Sequence, residues 1–292
     1  MKFKGVIPAL VTPLNAEESI NVPVLRQLME ALLNQGADGF YVAGATGEGL
    51  ALRPKERRVL AENAVEIVGG RKPCIIQIAA TDFHEAVALA KHAERCGAAA
   101  ISAIPPLFFE YREEDVYQYY KTLAEAVHIP LMIYYTPAAG FPMRAEFVAK
   151  LFEIDNITAI KWTSNDYFQM LKLKDLTHGQ MNIINGPDAT FLMGLCAGAD
   201  AGIGTTYNFL MEYYRGVYDS FVQGDLAQAQ AYQQQADRIL AARPGYPSIP
   251  LTKALLEKMG FPVGNAAFPM RRLTEEEKQF AVSKLRDAGL RI

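Results

Sequence analysis

The sequence predicts an α/β fold, a (β/α)8 barrel followed by a C-terminal helical extension, and three observations carry that expectation. Short apolar runs alternate with longer helical patterns, as in a parallel sheet whose strands are joined by crossover helices. One joint recurs three times, as Gln35-Gly36-Ala37-Asp38-Gly39, Cys96-Gly97-Ala98-Ala99-Ala100 and Ala197-Gly198-Ala199-Asp200-Ala201. Each has a glycine for the left-handed position past a helix end, then small residues that feed a strand. The βα unit repeats eight times at intervals of roughly 25 to 30 residues, which favours a closed TIM barrel over an open doubly wound sheet. No Gly-x-Gly-x-x-Gly opens a helix after the first strand, where Pro13 and Leu14 stand, so a dinucleotide site is not expected.

In chain order the expected strands are Gly5 to Thr12, Gly39 to Ala43, Cys74 to Ala79, Ala99 to Ala103, Leu131 to Tyr135, Ile157 to Lys161, Asn182 to Asn185 and Ala201 to Thr205. The clearest helical stretches between them are Pro23 to Asn34, Pro54 to Val68, Asp82 to Arg95, Glu113 to Ala126 and Arg144 to Phe152. After the eighth strand and a helix over Phe209 to Gln223 the pattern turns to helices only: Leu226 to Ala242, rich in Ala and Gln, Pro250 to Met259, and Thr274 to Asp287. Thr274-Glu275-Glu276-Glu277-Lys278 reads as a capped, solvated helix start. Arg243-Pro244-Gly245-Tyr246-Pro247 and Gly260-Phe261-Pro262 are the connectors. The expected division is a catalytic barrel over residues 1–223 and a helical extension over 224–292 that covers part of the barrel or supports assembly.

A chain of 292 residues can bury about three quarters of its unfolded surface and needs no staples. Its net charge of −3, with no basic run, lacks the footprint of a nucleic-acid binder. No stretch approaches the roughly 18 apolar residues of a membrane span, and Met1-Lys2-Phe3-Lys4-Gly5-Val6 lacks a signal peptide's apolar core. The expected setting is the cytoplasm and the expected partners are small molecules and other copies of the chain. Cys74, Cys96 and Cys196 read as reduced, mostly buried packing residues. His84, His92, His128 and His178 suggest no metal-ligand spacing with each other or with cysteine, so neither a metal nor another cofactor is expected. A GxSxG nucleophile elbow is absent as well.

The chemistry is expected at the strand ends, the active face of this fold. Lys161 ends the apolar run Ile157-Thr158-Ala159-Ile160 and precedes Trp162-Thr163-Ser164-Asn165-Asp166. Burial disfavours an ammonium, so a lysine there offers a free amine able to attack a carbonyl and form a Schiff base. After the second strand, Gly44 to Gly49 supplies backbone N–H groups and the Thr46 hydroxyl, a turn able to hold a carboxylate without arginine. Glu48 reads as a residue that fixes this turn rather than as a general base. After the fifth strand, Tyr134-Tyr135-Thr136-Pro137 puts a phenol where it can move a proton. The last two strands end in Asn185-Gly186-Pro187-Asp188 and Gly202-Ile203-Gly204-Thr205-Thr206-Tyr207-Asn208, which add a carboxylate, hydroxyls and approachable backbone to the same rim.

Gly44-Ala45-Thr46-Gly47-Glu48, Ile133-Tyr134-Tyr135-Thr136-Pro137, Lys161 and Gly202-Ile203-Gly204 stand in the order and at the spacing of a known family. The whole chain resembles the pyruvate-dependent Schiff-base aldolases and lyases that include N-acetylneuraminate lyase and dihydrodipicolinate synthase. The resemblance implies that Lys161 forms the Schiff base with pyruvate, that Thr46 and the Gly44 to Gly47 backbone, Ala45 included, hold its carboxylate, and that Tyr134 shuttles protons. Tyr167-Phe168-Gln169-Met170 and the segments around Lys161, Gly186 and Thr205 are similar to the N-acetylneuraminate lyase branch. By that similarity Thr163, Gly186, Asp188 and Thr205 line the sugar end, with Ile203 in the same pocket, and the assembly is a homotetramer. The expected substrate is then a 2-keto-3-deoxy sugar acid, N-acetylneuraminate foremost, cleaved to or condensed from pyruvate. The alternatives are another such sugar acid, for an aldolase or dehydratase, a dihydrodipicolinate synthase-like reaction, or a pyruvate-binding barrel of weak activity.

Three departures from the family's pattern stand beside the resemblance. Ala45 lacks the Ser or Thr hydroxyl usual there, and Leu107-Phe108-Phe109 lacks the tyrosine that a neighbouring subunit usually contributes. Asp188 is followed by Ala189 where the lyase branch tends to have glutamate, while Pro137-Ala138-Ala139-Gly140 carries no arginine for a synthase's second carboxylate. General acid and base steps commonly contribute about 10²–10⁴-fold, so missing relay hydroxyls slow or redirect the chemistry unless Thr205, Tyr111 or water replaces them.

Overall fold

Continuous apolar runs can be buried on both faces, and that is how they fold in the computed structural model, which describes residues 2–292. Among the described residues the strands are β1 (Gly5–Pro8), β2 (Phe40–Val42), β3 (Cys74–Gln77), β4 (Ala100–Ala103), β5 (Leu131–Tyr135), β6 (Ile157–Trp162), β7 (Asn182–Asn185) and β8 (Ala201–Gly204). They are all parallel, in the order β1-β8-β7-β6-β5-β4-β3-β2. The remaining seam is closed by a parallel bridge between Ala9 and Tyr41, where the Leu10 N–H donates to the Tyr41 carbonyl at 2.9 Å. The barrel predicted from the repeated units is therefore the fold of the chain.

Helices α1 (Val22–Asn34), α2 (Pro54–Val68), α3 (Phe83–Arg95), α4 (Glu113–Glu125), α5 (Ala145–Phe152), α6 (Tyr167–Leu176), α7 (Phe191–Cys196) and α8 (Met211–Val222) follow the strands in turn. In α1 the Asn21 side chain caps the first turn, Pro23 stands where its missing N–H costs nothing, and Val24, Leu25, Leu28, Met29 and Leu32 form the buried stripe. Each such side chain is worth about 1.5–3 kcal/mol when fully buried. The recurring joints behave as expected, with Gly36, Gly97 and Gly198 at φ of 91°, 84° and 92°.

Two differences from the sequence expectation have clear causes. Strand β1 stops at Pro8 instead of reaching Thr12, because the chain leaves the ladder: the Val11 N–H turns to Asn208 Oδ1 at 3.3 Å. Cys196 is exposed at the end of α7, Cys96 is half-buried and only Cys74 is enclosed, where burial pushes its thiol up to about 12. The expectation of mostly buried cysteines holds for Cys74 and fails for Cys196, because Cys196 shares the outward face of α7 with Met193, three residues earlier.

Beyond α8 come α9 (Leu226–Ala241), α10 (Ser248–Lys258) and α11 (Glu275–Asp287) with no strand between them. The capped start read at Thr274 is present: the Glu277 N–H donates to Thr274 Oγ1 at 3.2 Å and the Thr274 N–H to Glu277 Oε2 at 2.9 Å. Helix α10 buries Leu251, Ala254, Leu255 and Leu256, and with them Lys253, only 2% exposed. No helix of the described residues is long and apolar enough to cross a membrane.

Candidate active site

Strand register brings the amine and the phenol together. Tyr134 on β5 pairs with Lys161 on β6, so the two side chains leave neighbouring strands at one height. Lys161 is 5% exposed, and its Nζ lies 4.1 Å from the centre of the Tyr134 ring and 4.7 Å from that of Tyr41. The two rings meet edge to face at 5.9 Å. A cation over ring faces is attracted by their quadrupoles, so the two rings hold the lysine head group in place. The Tyr41 hydroxyl donates to Ser102 Oγ at 3.0 Å, and burial raises its phenol well above the ordinary value. Tyr41 therefore supports the lysine, and its burial disfavours the phenolate. Sequence reasoning missed it, since a tyrosine in Phe40-Tyr41-Val42 reads as strand packing.

The turn after β2 is folded tightly enough to need its glycines. A Cβ on Gly49 would stand 1.8 Å from the Ala43 carbonyl oxygen, and one on Gly44 would stand 2.4 Å from the Tyr41 ring. Its backbone is closed by the Glu48 N–H on Ala45 O and the Gly49 N–H on Gly44 O, both at 3.1 Å, while Thr12 Oγ1 donates to Gly47 O at 2.6 Å. Thr46 and Thr205, predicted separately on the second and eighth strand ends, meet with their hydroxyls 2.6 Å apart. Glu48 turns away from the mouth: its carboxylate is fully enclosed and sits 2.6 Å from Lys253 Nζ, with the Ala267 N–H donating to its other oxygen. The structural reading of Glu48 is the one the geometry supports. Lys253 was not singled out, although Pro250-Leu251-Thr252-Lys253-Ala254-Leu255-Leu256 sets a cation inside an apolar run, as Lys161 is set.

The β6 to β8 ends form the other side of the rim. The Thr163 N–H donates to Tyr135 O at 2.8 Å, and its Oγ1 is buried with no partner. Gly186 fits against it, because a Cβ there would come within 2.1 Å of that oxygen. Asp188 Oδ2 accepts from the Thr206 N–H at 2.7 Å and from Thr206 Oγ1 at 2.6 Å, while burial pushes its carboxyl up. One oxygen of Asp188 is thus committed to the turn after β8, and the next residue, Ala189, is exposed. Ile203 is completely buried in the barrel wall opposite Ile7 and contributes no side-chain surface to the rim.

A cavity of about 330 Å³ opens at this end, with Ala45, Gln77, Tyr134 and Ala138 on its barrel side and Ile249 and Met270 on the side of the extension. On the outer helices, Glu62, His92 and Cys96 bring donor atoms within 4.8 Å of one another, with Cys96 Sγ 3.6 Å from His92 Nδ1. This corrects the expectation that no histidine stands close to a cysteine: the two are one helical turn apart. His92 Nε2 already meets Glu62 at 2.8 Å, and burial raises the Cys96 thiol, which weakens it as a ligand.

A buried lysine on the sixth strand of a TIM barrel thus stands beside a strand-end tyrosine and a glycine-rich turn. The profile of the Dihydrodipicolinate synthetase family matches residues 2–288. The chain is 31% identical over 277 residues to an N-acetylneuraminate lyase of Rhizobium meliloti (strain 1021), covering 95% of this chain and 92% of that one. Among solved structures it is similar to Proteus mirabilis N-acetylneuraminate lyase, with a TM-score of 0.94 at 28% identity over the full length of both. It is also similar in shape to a dihydrodipicolinate synthase from Bacillus anthracis, with a TM-score of 0.93 at 26% identity over 98% of each chain. The chain belongs to the dihydrodipicolinate synthetase family and is an enzyme of its pyruvate-aldolase type.

Proposed function

We propose that the chain is a Schiff-base-forming, pyruvate-dependent carbon–carbon lyase acting on a 2-keto-3-deoxy sugar acid, with N-acetylneuraminate, split to pyruvate and N-acetylmannosamine, as first candidate. The observation that carries the proposal is the buried Lys161 amine lying against the Tyr134 ring at the open end of the barrel. In this reading Nζ adds to the C2 carbonyl and water leaves, giving an iminium. A base removes the C4 hydroxyl proton, the C3–C4 bond breaks, and its electron pair moves to the iminium nitrogen, releasing an aldehyde and leaving an enamine. Protonation at C3 and hydrolysis return pyruvate and the lysine; Tyr134 serves as acid and base, and the Gly44 to Gly47 turn with Thr46 receives the carboxylate. The lysine itself is the electron sink, so the proposal invokes neither a metal nor another cofactor.

A different sugar acid is the second reading, because Asp188 already serves Thr206, Ala189 has no polar group, and Ala45 and Phe109 lack hydroxyls. Among the family's reactions the synthase reading is the weaker one: Ala138, not a cation, lines the cavity. The weakly active pyruvate binder keeps the lysine and the turn but predicts no turnover. The proposed frame is a catalytic barrel of residues 1–223 with an extension of 224–292, working in the cytoplasm in carbohydrate metabolism as a homotetramer. Three free thiols suit a reducing compartment. Phe108 and Phe109, 94% and 70% exposed, form an apolar tip suited to contact another copy.

The test is borohydride reduction with pyruvate, followed by peptide mass spectrometry. An adduct on Lys161 that disappears in Lys161→Ala supports the mechanism, and a panel of sialic and 2-keto-3-deoxy acids then selects the substrate. Absence of the adduct in the wild type refutes the proposal, and an adduct without turnover of any panel member leaves the binding reading.

A further inference from the structure

Glu48 is the first side chain after the turn proposed to receive the carboxylate, and its backbone sits in the left-handed region at φ 59°. Non-glycine residues hold that conformation only where the surroundings over-determine it. Here the Glu48 carbonyl accepts the Ala51 and Leu52 N–H groups at 2.8 and 3.1 Å. Its carboxylate is gripped by two segments of the extension, Lys253 on α10 and the Ala267 N–H. Lys253 donates on to Asn265 O at 2.8 Å, so the loop and the helix are tied to one carboxylate. Energetics make a purely stabilising role a poor explanation. Two charges removed from water recover little more than their desolvation cost, and apolar residues of similar size commonly do as well.

We propose that Lys253 is a positioning residue: acting through Glu48, it fixes the Gly44 to Gly47 turn in the conformation that receives the substrate carboxylate. The C-terminal extension is then a working part of the binding site and not only a cover. This rests on the reading of that turn as the carboxylate site.

The test titrates wild type, Lys253→Met, Lys253→Arg and the double variant Glu48→Gln/Lys253→Met with pyruvate, trapping with borohydride and quantifying the Lys161 adduct. Acetone, which offers the same methyl ketone without a carboxylate, is the parallel probe. Wild type that traps acetone on Lys161 but gains nothing from the carboxylate of pyruvate refutes the carboxylate-site reading itself, before any variant is compared. With that reading upheld, Lys253→Met should raise the pyruvate concentration for half-trapping about tenfold or more, the scale on which supporting partners of a site act. The adduct yield at saturation and the acetone titration should stay unchanged, and Lys253→Arg should regain part of the loss. The double variant removes both charges and supplies the measurement if the single one does not fold. An unchanged pyruvate titration, an equal loss with acetone, or failure of every variant to fold each overturns the positioning role.

Discussion

The burial of Lys161 at a strand end was legible because a cation closing an apolar strand is costly and therefore informative, and the strand order sets Tyr134 beside it. What the sequence hides is contact across the barrel. Thr46 and Thr205 touch although 159 positions separate them, and Tyr41 reaches Lys161 only because β2 curves round to face β6. At this scale Tyr134→Phe should lower kcat by about 10²–10⁴-fold with the pyruvate titration little changed, since the ring that packs on Lys161 stays and the proton donor goes. Asp188 gives a pH prediction. Its carboxyl is raised above 3.8 in the fold, so the folded protein binds more protons than the unfolded one. That contribution to stability is fully present below 3.8 and is lost as pH rises through the folded value. Asp188→Asn keeps an oxygen for Thr206 and removes the slope, so thermal melts between about pH 4 and pH 7 should show the variant gaining on wild type as pH rises. A constant difference across that range would contradict this account.

Elements were read best where length and burial agree. β5, β7 and α2 have the bounds expected from the sequence, whereas α7, one and a half turns of Phe191-Leu192-Met193-Gly194-Leu195-Cys196, is too short and too uniformly apolar to show a period. The end of β1 was misplaced because nothing local reveals that Asn208 will take the Val11 N–H. Turn packing predicts a contrast between two glycines. Gly49→Ala, with backbone oxygen 1.8 Å from the new carbon, should destabilise by about 3 kcal/mol. Gly245→Ala, in open space, should be neutral or stabilise by roughly 0.4–1 kcal/mol. Urea midpoints of the two variants check the pair, and equal shifts would mean that the turn relaxes freely.

At the scale of the molecule, a groove between α6, α7 and α9 holds about 670 Å³ and is edged by Leu171, Met193 and Leu226, each more than half exposed. With the Phe108 and Phe109 tip this gives the barrel two exposed apolar regions, the number that the proposed tetramer built from dimers calls for. Sedimentation should therefore find Met193→Asp combined with Leu226→Asp in a smaller assembly than wild type, with pyruvate trapping retained. An unchanged sedimentation coefficient would show that this groove takes no part in assembly. The overall architecture was readable from repeats, but the service of the extension to the barrel mouth was not, because Lys253 meets Glu48 through tertiary packing that leaves no periodic signature.

The hydrogen bond from Ala267 to Glu48 spans 219 positions of sequence. Loop-closure entropy must be overcome before such a distant contact contributes, so contacts of this separation tend to form late. The turn after β2 emerges early from the ribosome yet waits for nearly the whole chain before its last restraints arrive. Ability to capture a 2-keto acid should accordingly mature after the barrel has closed, making the binding site one of the final products of folding.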